Sequence, residues 1–195
     1  MMLSNDLVVR RWTEDDFLNN KKEWQDLLDS SLADKLFLSW DWMHSWWTIW
    51  GKKTTSRLHI LAAYQDDELV GIAPLYFSKG RILKNLISVT RLEFVGTMYK
   101  LRGNIRAEYL EFITKKEFRK SANNVLLQHI YGDRRWDVLI LSDLVVNGET
   151  YRTNQHLLKN SRCYSRIVQT ENTYVVDCTS DYSDYNCRTR EKHAP

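Results

Sequence analysis

The sequence is poor in cysteine, proline and glycine, and each shortage narrows what the chain can be. It has only three cysteines in 195 residues, Cys163, Cys178 and Cys187. A small, odd number of cysteines fits a reducing compartment better than a disulfide framework, so we expect a cytoplasmic protein. Cys178, Cys187 and His193 match no compact zinc spacing and lack a fourth ligand, so no metal site is expected. With two prolines and seven glycines, the chain has no glycine-rich loop of the kind that cradles phosphate groups.

The chain also lacks a strong charge bias and a long apolar run. Lysine and arginine number 28 against 25 acidic residues, a formal net charge of +3, and the basic residues are scattered. This balance argues against nucleic acid as a partner, because binding to phosphate backbones depends on concentrated positive charge. No apolar run is long enough to span a bilayer, and the first residues, MMLSNDLVVRR, have no signal-peptide core. No membrane span is therefore expected, which again favours the cytoplasm.

A pair of strands is predicted in the first half of the chain. Two apolar runs, Leu58–Tyr64 and Leu69–Phe77, flank the polar residues 65–68, and a short polar break between β-rich runs is typical of a tight hairpin. Neither run alternates cleanly between apolar and polar residues, which predicts strands buried on both faces and helices on both sides of the sheet. Gly71 and Pro74 inside the second run predict a bulge or bend, because proline cannot donate to a ladder.

Tryptophan, by contrast, is abundant. The chain has eight tryptophans, and five of them lie between residues 40 and 50. Ser39 is a predicted N-cap and Gly51 a predicted stop for a helix over this segment. Its apolar side chains form a stripe of Trp42, Met43, Trp46, Trp47 and Trp50. The stripe has two interpretations, a face packed on the sheet and an aromatic wall of a substrate groove.

The remaining patterns predict a layered α/β (α+β) fold with a mixed, mostly antiparallel sheet and helices on both faces. A first strand is expected near residues 7–12, followed by a helix from Glu14 to Ser30 capped by Thr13. The further predicted strands are Ile82–Thr90, Leu92–Val95, Tyr109–Thr114, Trp136–Leu144, Ser165–Gln169 and Thr173–Val176, and the further helices are Lys115–Tyr131 and Thr150–Asn160. We expect one domain over residues 1–179 and a polar tail over residues 180–195.

Candidate site residues cluster around a predicted loop, Thr97–Glu108. Glu108 stands where the loop meets a strand and is a candidate general base, although a solvated carboxylate is the alternative. Glu111 would point to the opposite face of an extended strand, so the two carboxylates would not form an acid–base pair. Tyr99 and Tyr109 flank the loop and would either line a pocket or seal it.

Motifs of nucleophilic and metal-dependent hydrolases do not occur. The sequence has no G-x-S-x-G elbow, H-E-x-x-H pair or P-loop. His59 lies within an apolar run and is interpreted as a hydrogen-bonded core histidine rather than a catalytic base.

An ordered series of segments resembles a known family. The segments are FLSWDWMHSWWTIWG, LHILAAYQDDELVGIAPLYF, LEFVG and IRAEYLEFI. Together they resemble the CelD- and BioF2-like acetyltransferase family, which belongs to the GNAT (N-acetyltransferase) superfamily and is similar to the FemAB peptidyltransferases. The resemblance covers about residues 36–144. It implies a GNAT-like layered fold and transfer of an acyl group from a thioester donor, such as acyl-CoA, to an amine or hydroxyl.

The chain departs from this family in two respects. It lacks the Q/R-x-x-G-x-G/A loop whose backbone N–H groups hold the CoA pyrophosphate at a helix N-terminus. Family members look like two tandem GNAT-like halves joined by a Tyr- and Arg-rich helix, and Tyr182, Tyr185, Arg188 and Arg190 resemble the start of that connector. The resemblance therefore implies that this is an N-terminal half with residues 180–195 as a severed linker.

Two functions follow as expectations. The first is a GNAT-type acyltransferase acting on a small-molecule or saccharide acceptor, in polysaccharide or cell-envelope biosynthesis, alone, as a homodimer or docked to a second half. Glu108 would be its base and Tyr109 its positioning group, and the substrate groove would be lined by Trp42, Trp46, Tyr99, Gly71 and Pro74. The second is a non-catalytic binding or interaction module derived from a truncated transferase.

Overall fold

The computed structural model describes residues 7–83, 86–97, 107–159, 161, 163–168 and 170. The chain divides into two compact units, residues 1–162 and 163–195. The strands of the first unit are β1 Val8–Trp12, β2 Arg57–Gln65, β3 Glu68–Ile82, β4 Ile87–Phe94, β5 Ile113–Thr114 and β6 Val138–Ile140. Its helices are α1 Glu14–Asn19, α2 Lys21–Asp29, α3 Trp40–Ile49, α4 Arg119–Gly132 and α5 Glu149–Leu158, and a 3₁₀ turn covers Gly51–Lys53. In the second unit, residues 163–168 are exposed and have no regular structure.

The sheet has the order β1-β2-β3-β4-β6, and β5 also pairs with β3. Every pairing is antiparallel except β4 with β6. On one face Tyr76 of β3 packs against Trp46 and Trp47 of α3. On the other face Gly71 lies against Ala122 of α4, because odd and even residues of a strand point in opposite directions. The predicted fold class, a layered α/β (α+β) protein with a mostly antiparallel sheet and helices on both faces, is confirmed.

The central hairpin forms as predicted. Gln65 pairs with Glu68, and Asp66 takes the left-handed conformation that a two-residue turn needs, with φ of 47°. The register shifts between Ala63, which pairs with Gly71, and Tyr64, which pairs with Leu69. Val70 is therefore the extra residue of a bulge, which confirms the irregularity expected beside Gly71.

The helix N-caps are confirmed, but two helix boundaries are corrected. Thr13 forms a capping box with Asp16, and the Ser39 hydroxyl accepts from the Trp42 N–H. The single helix expected from Glu14 to Ser30 is wrong, because the chain breaks at Asn20 into α1 and α2. Helix α4 starts at Arg119 and not at Lys115, whose N–H donates instead to Val70 O at 3.0 Å and extends the pairing with β3.

Several strand expectations also need correction. The proposed strand Ile82–Thr90 is right only in part: Ile87–Thr90 belong to β4, but Ile82 is the end of β3, so the single strand is wrong and a turn separates the two. Of Tyr109–Thr114 only the last two residues form a strand, and of Trp136–Leu144 only Val138–Ile140 and an isolated bridge at Leu144. Residues 165–168 of the proposed strand Ser165–Gln169 have no regular structure. The helix expected over Thr150–Asn160 is confirmed as α5.

Two expectations fall outside the described residues, namely the strand Thr173–Val176 and the tail 180–195. The division into a domain of residues 1–179 and a tail stays a prediction. None of the helices in the described part of the chain has the length and apolarity needed to cross a membrane.

Candidate functional site at a break beside the central strand

The strand position beside β3 is filled by two separate segments. Residues 75–82 of β3 pair with β4, while Gly71 and Ile72 pair with β5. The change of partner falls at Pro74, whose carbonyl accepts from the Val95 N–H at 2.9 Å. Because proline has no N–H, the missing partner strand leaves no ladder donor unpaired there. Proline at this position therefore allows the neighbouring strand to be interrupted.

The pairing on the side away from β3, with β6 and Leu144, is interrupted at the same place. Residues 91–93 of β4 lie parallel to β6. Further along, Leu110 bridges Leu144 in parallel, with its N–H donating to Asp143 O at 2.8 Å and its carbonyl accepting from the Val145 N–H at 3.1 Å. Strand β4 and residues 107–114 thus form one strand position, which the chain leaves at Gly96 and rejoins at Ala107. We use the term strand break for this interruption, which lies opposite Pro74 and is formed by residues 95–97 on one side and 107–109 on the other.

The strand break lies on the α3 face of the sheet. Gly96 has φ of 97°, and a Cβ there would lie 2.9 Å from Ala107 Cβ and 3.6 Å from Met43 Sδ. The Tyr76 hydroxyl donates to Thr97 O at 2.8 Å, and burial raises the pKa of Tyr76 well above its ordinary value. Tyr76 is therefore a neutral hydrogen-bond donor that holds Thr97, at one end of the strand break, from the α3 face of the sheet.

Three aromatic side chains form a wall beside the strand break. The Phe37 ring lies 5.0 Å from Trp42 in an edge-on arrangement and 6.4 Å from Tyr109. The Trp42 Nε1 is buried and has no hydrogen-bond partner, although buried indole N–H groups usually find one. Sequence reasoning missed Phe37. The available signal was an aromatic residue two positions before the N-cap Ser39, where its ring can contact the first turn of α3.

Two non-glycine residues with left-handed backbone flank the Leu110–Leu144 bridge. Tyr109 and Asp143 both have φ of 54°. Such conformations are uncommon for a residue with a side chain, and they concentrate at functional sites because the surrounding structure must hold them in place. The Asp143 carbonyl accepts from Leu110, the residue after Tyr109, so the two strained residues are held by one hydrogen bond.

The two carboxylates near the break have different surroundings. Glu108 is half-buried and, within the described residues, makes no hydrogen bond or ion pair. Glu111 has a side chain only 8% exposed, and its Oε2 lies 3.2 Å from the Arg119 guanidinium. Because Tyr109 is left-handed, residues 108–111 do not alternate as an extended strand would. Glu111 links the segment before β5 to the first turn of α4, while Glu108 has no such partner among the described residues.

The predicted site residues are only partly brought together. Glu108 and Tyr109 belong to the strand break and Pro74 lies opposite it, whereas Trp42 is joined to it only through Phe37. Trp46 is buried and packs on Tyr76 at 5.4 Å between ring centres. Gly71 lies on the other face, against Ala122 of α4. Tyr99 lies outside the described residues.

His59 belongs to the α4 face and not to the strand break. The imidazole is fully buried 4.7 Å from the Phe77 ring, and neither nitrogen has a hydrogen-bond partner, although Nε2 lies 3.6 Å from Asp133 Oδ2. Burial, followed by the charge of Arg135, lowers its pKa from 6.5 to about 4. The core placement expected for His59 is confirmed, but the expected hydrogen bond is wrong.

Within the described residues no group of three or more His, Cys, Asp or Glu side chains could hold a metal ion. The fold and the break together define a layered α/β domain in which the strand position beside the central strand β3 is interrupted, with an aromatic wall and a carboxylate beside the interruption.

No protein-family model and no curated protein matches the chain. It is similar to a solved ribosomal-protein-alanine N-acetyltransferase from Brucella melitensis biovar Abortus 2308, with 14% identity and a TM-score of 0.42 over 88% of this chain and 99% of that one. It is also similar to a GNAT family acetyltransferase from Staphylococcus aureus, with 14% identity and a TM-score of 0.41 over 87% and 98%. A third similar structure is a transcriptional regulator from Bacillus halodurans C-125, with 12% identity and a TM-score of 0.47 over 86% and 100%. The fold class given above stands on the strand pairing of this chain.

Proposed function

We propose that the chain is an acyltransferase of GNAT type that moves an acyl group from acyl-CoA, or a similar thioester, to an amine or hydroxyl. The observation that carries the proposal is the strand break at Pro74, bordered by Glu108 and by the wall of Trp42, Phe37 and Tyr109. The resemblance of residues 36–144 to the CelD- and BioF2-like family supports it, because the quoted segments supply all of these residues.

Glu108 is the proposed general base. The acceptor nitrogen or oxygen attacks the thioester carbonyl while Glu108 takes its proton, the new bond to the acyl carbon forms, and the C–S bond then breaks. The proton passes from Glu108 to the leaving thiolate, so the carboxylate is regenerated. Backbone N–H groups at the strand break would stabilise the oxyanion between these steps.

The aromatic wall suggests the acceptor class. Aromatic rings pack well on the apolar faces of sugar rings and other flat or cyclic molecules. The unpartnered Trp42 Nε1–H would donate to an acceptor hydroxyl, and Tyr109 would position the acceptor. We therefore propose a saccharide or a similar polyhydroxylated small molecule, in polysaccharide or cell-envelope biosynthesis.

A specific observation supports the second candidate, a non-catalytic binding module. Residues 107–131 contain no glycine, and the first residue of α4, Arg119, pairs with the buried Glu111 carboxylate. A carboxylate beside a helix N-terminus competes with a pyrophosphate for the same donors and dipole. In this alternative the aromatic wall binds a saccharide or a partner without any transfer.

The two candidates can be separated with the purified chain. Titration calorimetry with acetyl-CoA is expected to give a micromolar midpoint, and free thiol is expected to appear when an amine or hydroxyl acceptor is added. Glu108→Gln should lower turnover at least tenfold, because removal of a general base typically costs about 10²–10⁴-fold, while leaving acetyl-CoA binding unchanged. Glu117→Gln, which removes an exposed carboxylate outside the strand break, is the matched control. No heat with acetyl-CoA, together with binding to a saccharide, would favour the binding module.

A further inference from the structure

Strands β3 and β4 extend beyond the sheet as a two-stranded arm. The pairing of β2 with β3 ends at Arg57 opposite Phe77, and the pairing of β6 with β4 begins at Val138 opposite Arg91. Beside β4, the Asp137 N–H donates to Thr90 O at 2.8 Å, so among the described residues only 80–82 and 87–89 pair with each other alone. At about 3.3 Å per residue, these three residues of β3 carry the arm about 10 Å past both neighbours. We call residues 78–83 and 86–91 the β-arm.

The tip of the β-arm is apolar and exposed. Ile82 and Ile87 face each other across the last pair and are 41% and 46% exposed, while Leu83 and Leu86 are 64% and 85% exposed. Leu83 has φ of 49°, and its carbonyl accepts from the Leu86 N–H at 3.1 Å. A leucine in a left-handed turn conformation is unusual, because turns prefer glycine, asparagine or aspartate there. Folding of the domain gives no reason for four large aliphatic side chains at this tip.

The charge of the β-arm has one sign. The β-arm includes the basic residues Lys79, Arg81 and the buried Arg91 and no acidic residue, in a chain whose overall charge is nearly balanced. Lys79 and Arg81 are exposed on the face that alternates with Ile82, and Lys79 Nζ donates to Thr90 Oγ1 at 2.8 Å. An apolar tip flanked by exposed cations is the pattern of segments that enter the interface of an anionic membrane.

We infer that the β-arm docks on an anionic membrane surface, with Ile82, Leu83, Leu86 and Ile87 in the headgroup–acyl boundary and Lys79 and Arg81 against the lipid phosphates. The depth of such a boundary, about 5–10 Å, suits a tip of four side chains at the end of a longer arm. A second copy of the chain fits less well, because two arms would bring like charges together. Nucleic acid also fits less well, because it leaves the aliphatic tip without a partner. The inference does not depend on the proposed acyltransferase activity.

Sedimentation of the full chain with lipid vesicles tests this docking. We expect the chain to bind vesicles of equal parts phosphatidylcholine and phosphatidylglycerol at least tenfold more tightly than phosphatidylcholine vesicles, and to bind them more weakly as salt is raised. The double variant Leu83→Ser and Leu86→Ser should lose at least tenfold in binding, because the inserted aliphatic area is removed. The double variant Lys79→Gln and Arg81→Gln should lose roughly thirtyfold on anionic vesicles only, at about 1 kcal/mol for each cation.

Matched controls keep the result specific to the β-arm. Leu32→Ser replaces a leucine that is 58% exposed elsewhere, and Lys120→Gln removes an exposed cation of α4. Neither should change vesicle binding, and thermal unfolding checks that all variants stay folded. Equal vesicle binding by the Leu83/Leu86 variant, or no binding to anionic vesicles, overturns the inference. A concentration-dependent dimer, or retention on DNA, that those leucine changes abolish while no vesicle binding is seen also overturns it, in favour of that partner.

Discussion

At the scale of single residues, buried polar atoms without partners stand out, because most such atoms in proteins are hydrogen-bonded. Trp42 Nε1 and both ring nitrogens of His59 are of this kind. They lie on opposite faces of the sheet and bear on different properties of the protein, the candidate site for Trp42 and the stability for His59. Trp42 packs on Phe37 of the aromatic wall, on the side of the proposed acceptor site, whereas His59 lies in the core and affects stability.

His59 should make stability depend on pH between about 4 and 6.5. Its pKa is about 4 when folded and ordinarily 6.5, so in this range the unfolded chain binds more protons. The contribution of the neutral buried ring is full above pH 6.5 and is lost as the pH falls to 4, by up to about 3 kcal/mol. Denaturant unfolding at several pH values measures it.

His59→Leu is the matched variant. It should remove this pH dependence and leave the free energy of unfolding at pH 7 unchanged or raised by about 1 kcal/mol, because an unpartnered polar ring is replaced by an apolar side chain. A loss above about 2 kcal/mol at pH 7 would show that the imidazole makes a stabilising hydrogen bond after all.

Tyr109 offers a test of the strained backbone at the strand break. We compare Tyr109→Gly with Tyr109→Ala, since both remove the ring that contacts Phe37. At φ of 54° the glycine variant should be more stable than the alanine variant by about 1 kcal/mol. In ordinary strand or helix backbone the order is reversed, so the sign of the difference in unfolding free energy decides. Equal stability, or a more stable alanine variant, would contradict the left-handed conformation.

At the scale of elements, the sequence predicts best where a pattern has a local cause. Thr13 and Ser39 are followed by polar or helix-forming first turns, and both cap helices. The hairpin at 65–68 is confirmed because its turn lies between two continuous apolar runs. By contrast, the apolar residues at 82–87 suggest a strand, whereas they form the exposed tip between β3 and β4.

The strand break could be predicted only in its parts. Pro74 signals an irregularity and Glu108 a loop end, but the sequence does not show that β4 and residues 107–114 share one strand position. That arrangement depends on long-range pairing with β3 and β6. Phe37 joins the aromatic wall for the same reason, since its contact with Tyr109 spans distant parts of the chain. The position of Gly71 in the strand predicts a place in the groove, whereas the structure packs it against α4.

The close packing of α4 on the sheet depends on Gly71. A Cβ at Gly71 would lie 3.0 Å from Ala122 Cβ and 3.4 Å from Leu126 Cδ1. Gly71→Ala should therefore lower the free energy of unfolding by about 1–2 kcal/mol through overpacking. In an Ala122→Gly background the same change should cost at least about 0.5 kcal/mol less, because the blocking methyl is gone. A double-mutant cycle by denaturant unfolding measures this coupling, and additive effects would contradict the contact.

At the scale of the whole molecule, the first compact unit has a complete core. The buried apolar residues run from Trp12 to Ile130, and Leu139, Leu144 and Leu157 pack against them. Helix α5 adds a buried polar link: Thr150 Oγ1 accepts from the Phe112 N–H and donates to Asn123 Oδ1, each at 2.8 Å. Through Thr150, α5 connects Phe112 to Asn123 of α4. Helix α5 is therefore an integral part of the folded unit.

A chain ending at Arg162 should therefore fold on its own. We expect residues 1–162 to unfold cooperatively with a native-like circular dichroism spectrum, because every strand and helix that the structure describes, and the core they form, lies within this unit. A chain ending at residue 147, which lacks α5, is the matched control. It should be less stable by at least about 3 kcal/mol, because Phe112 N and Asn123 lose their buried partner and Leu157 no longer covers the core. A chain of residues 1–179 tests the other boundary: if it unfolds cooperatively while residues 1–162 do not, the domain needs residues 163–179, as the sequence alone predicts.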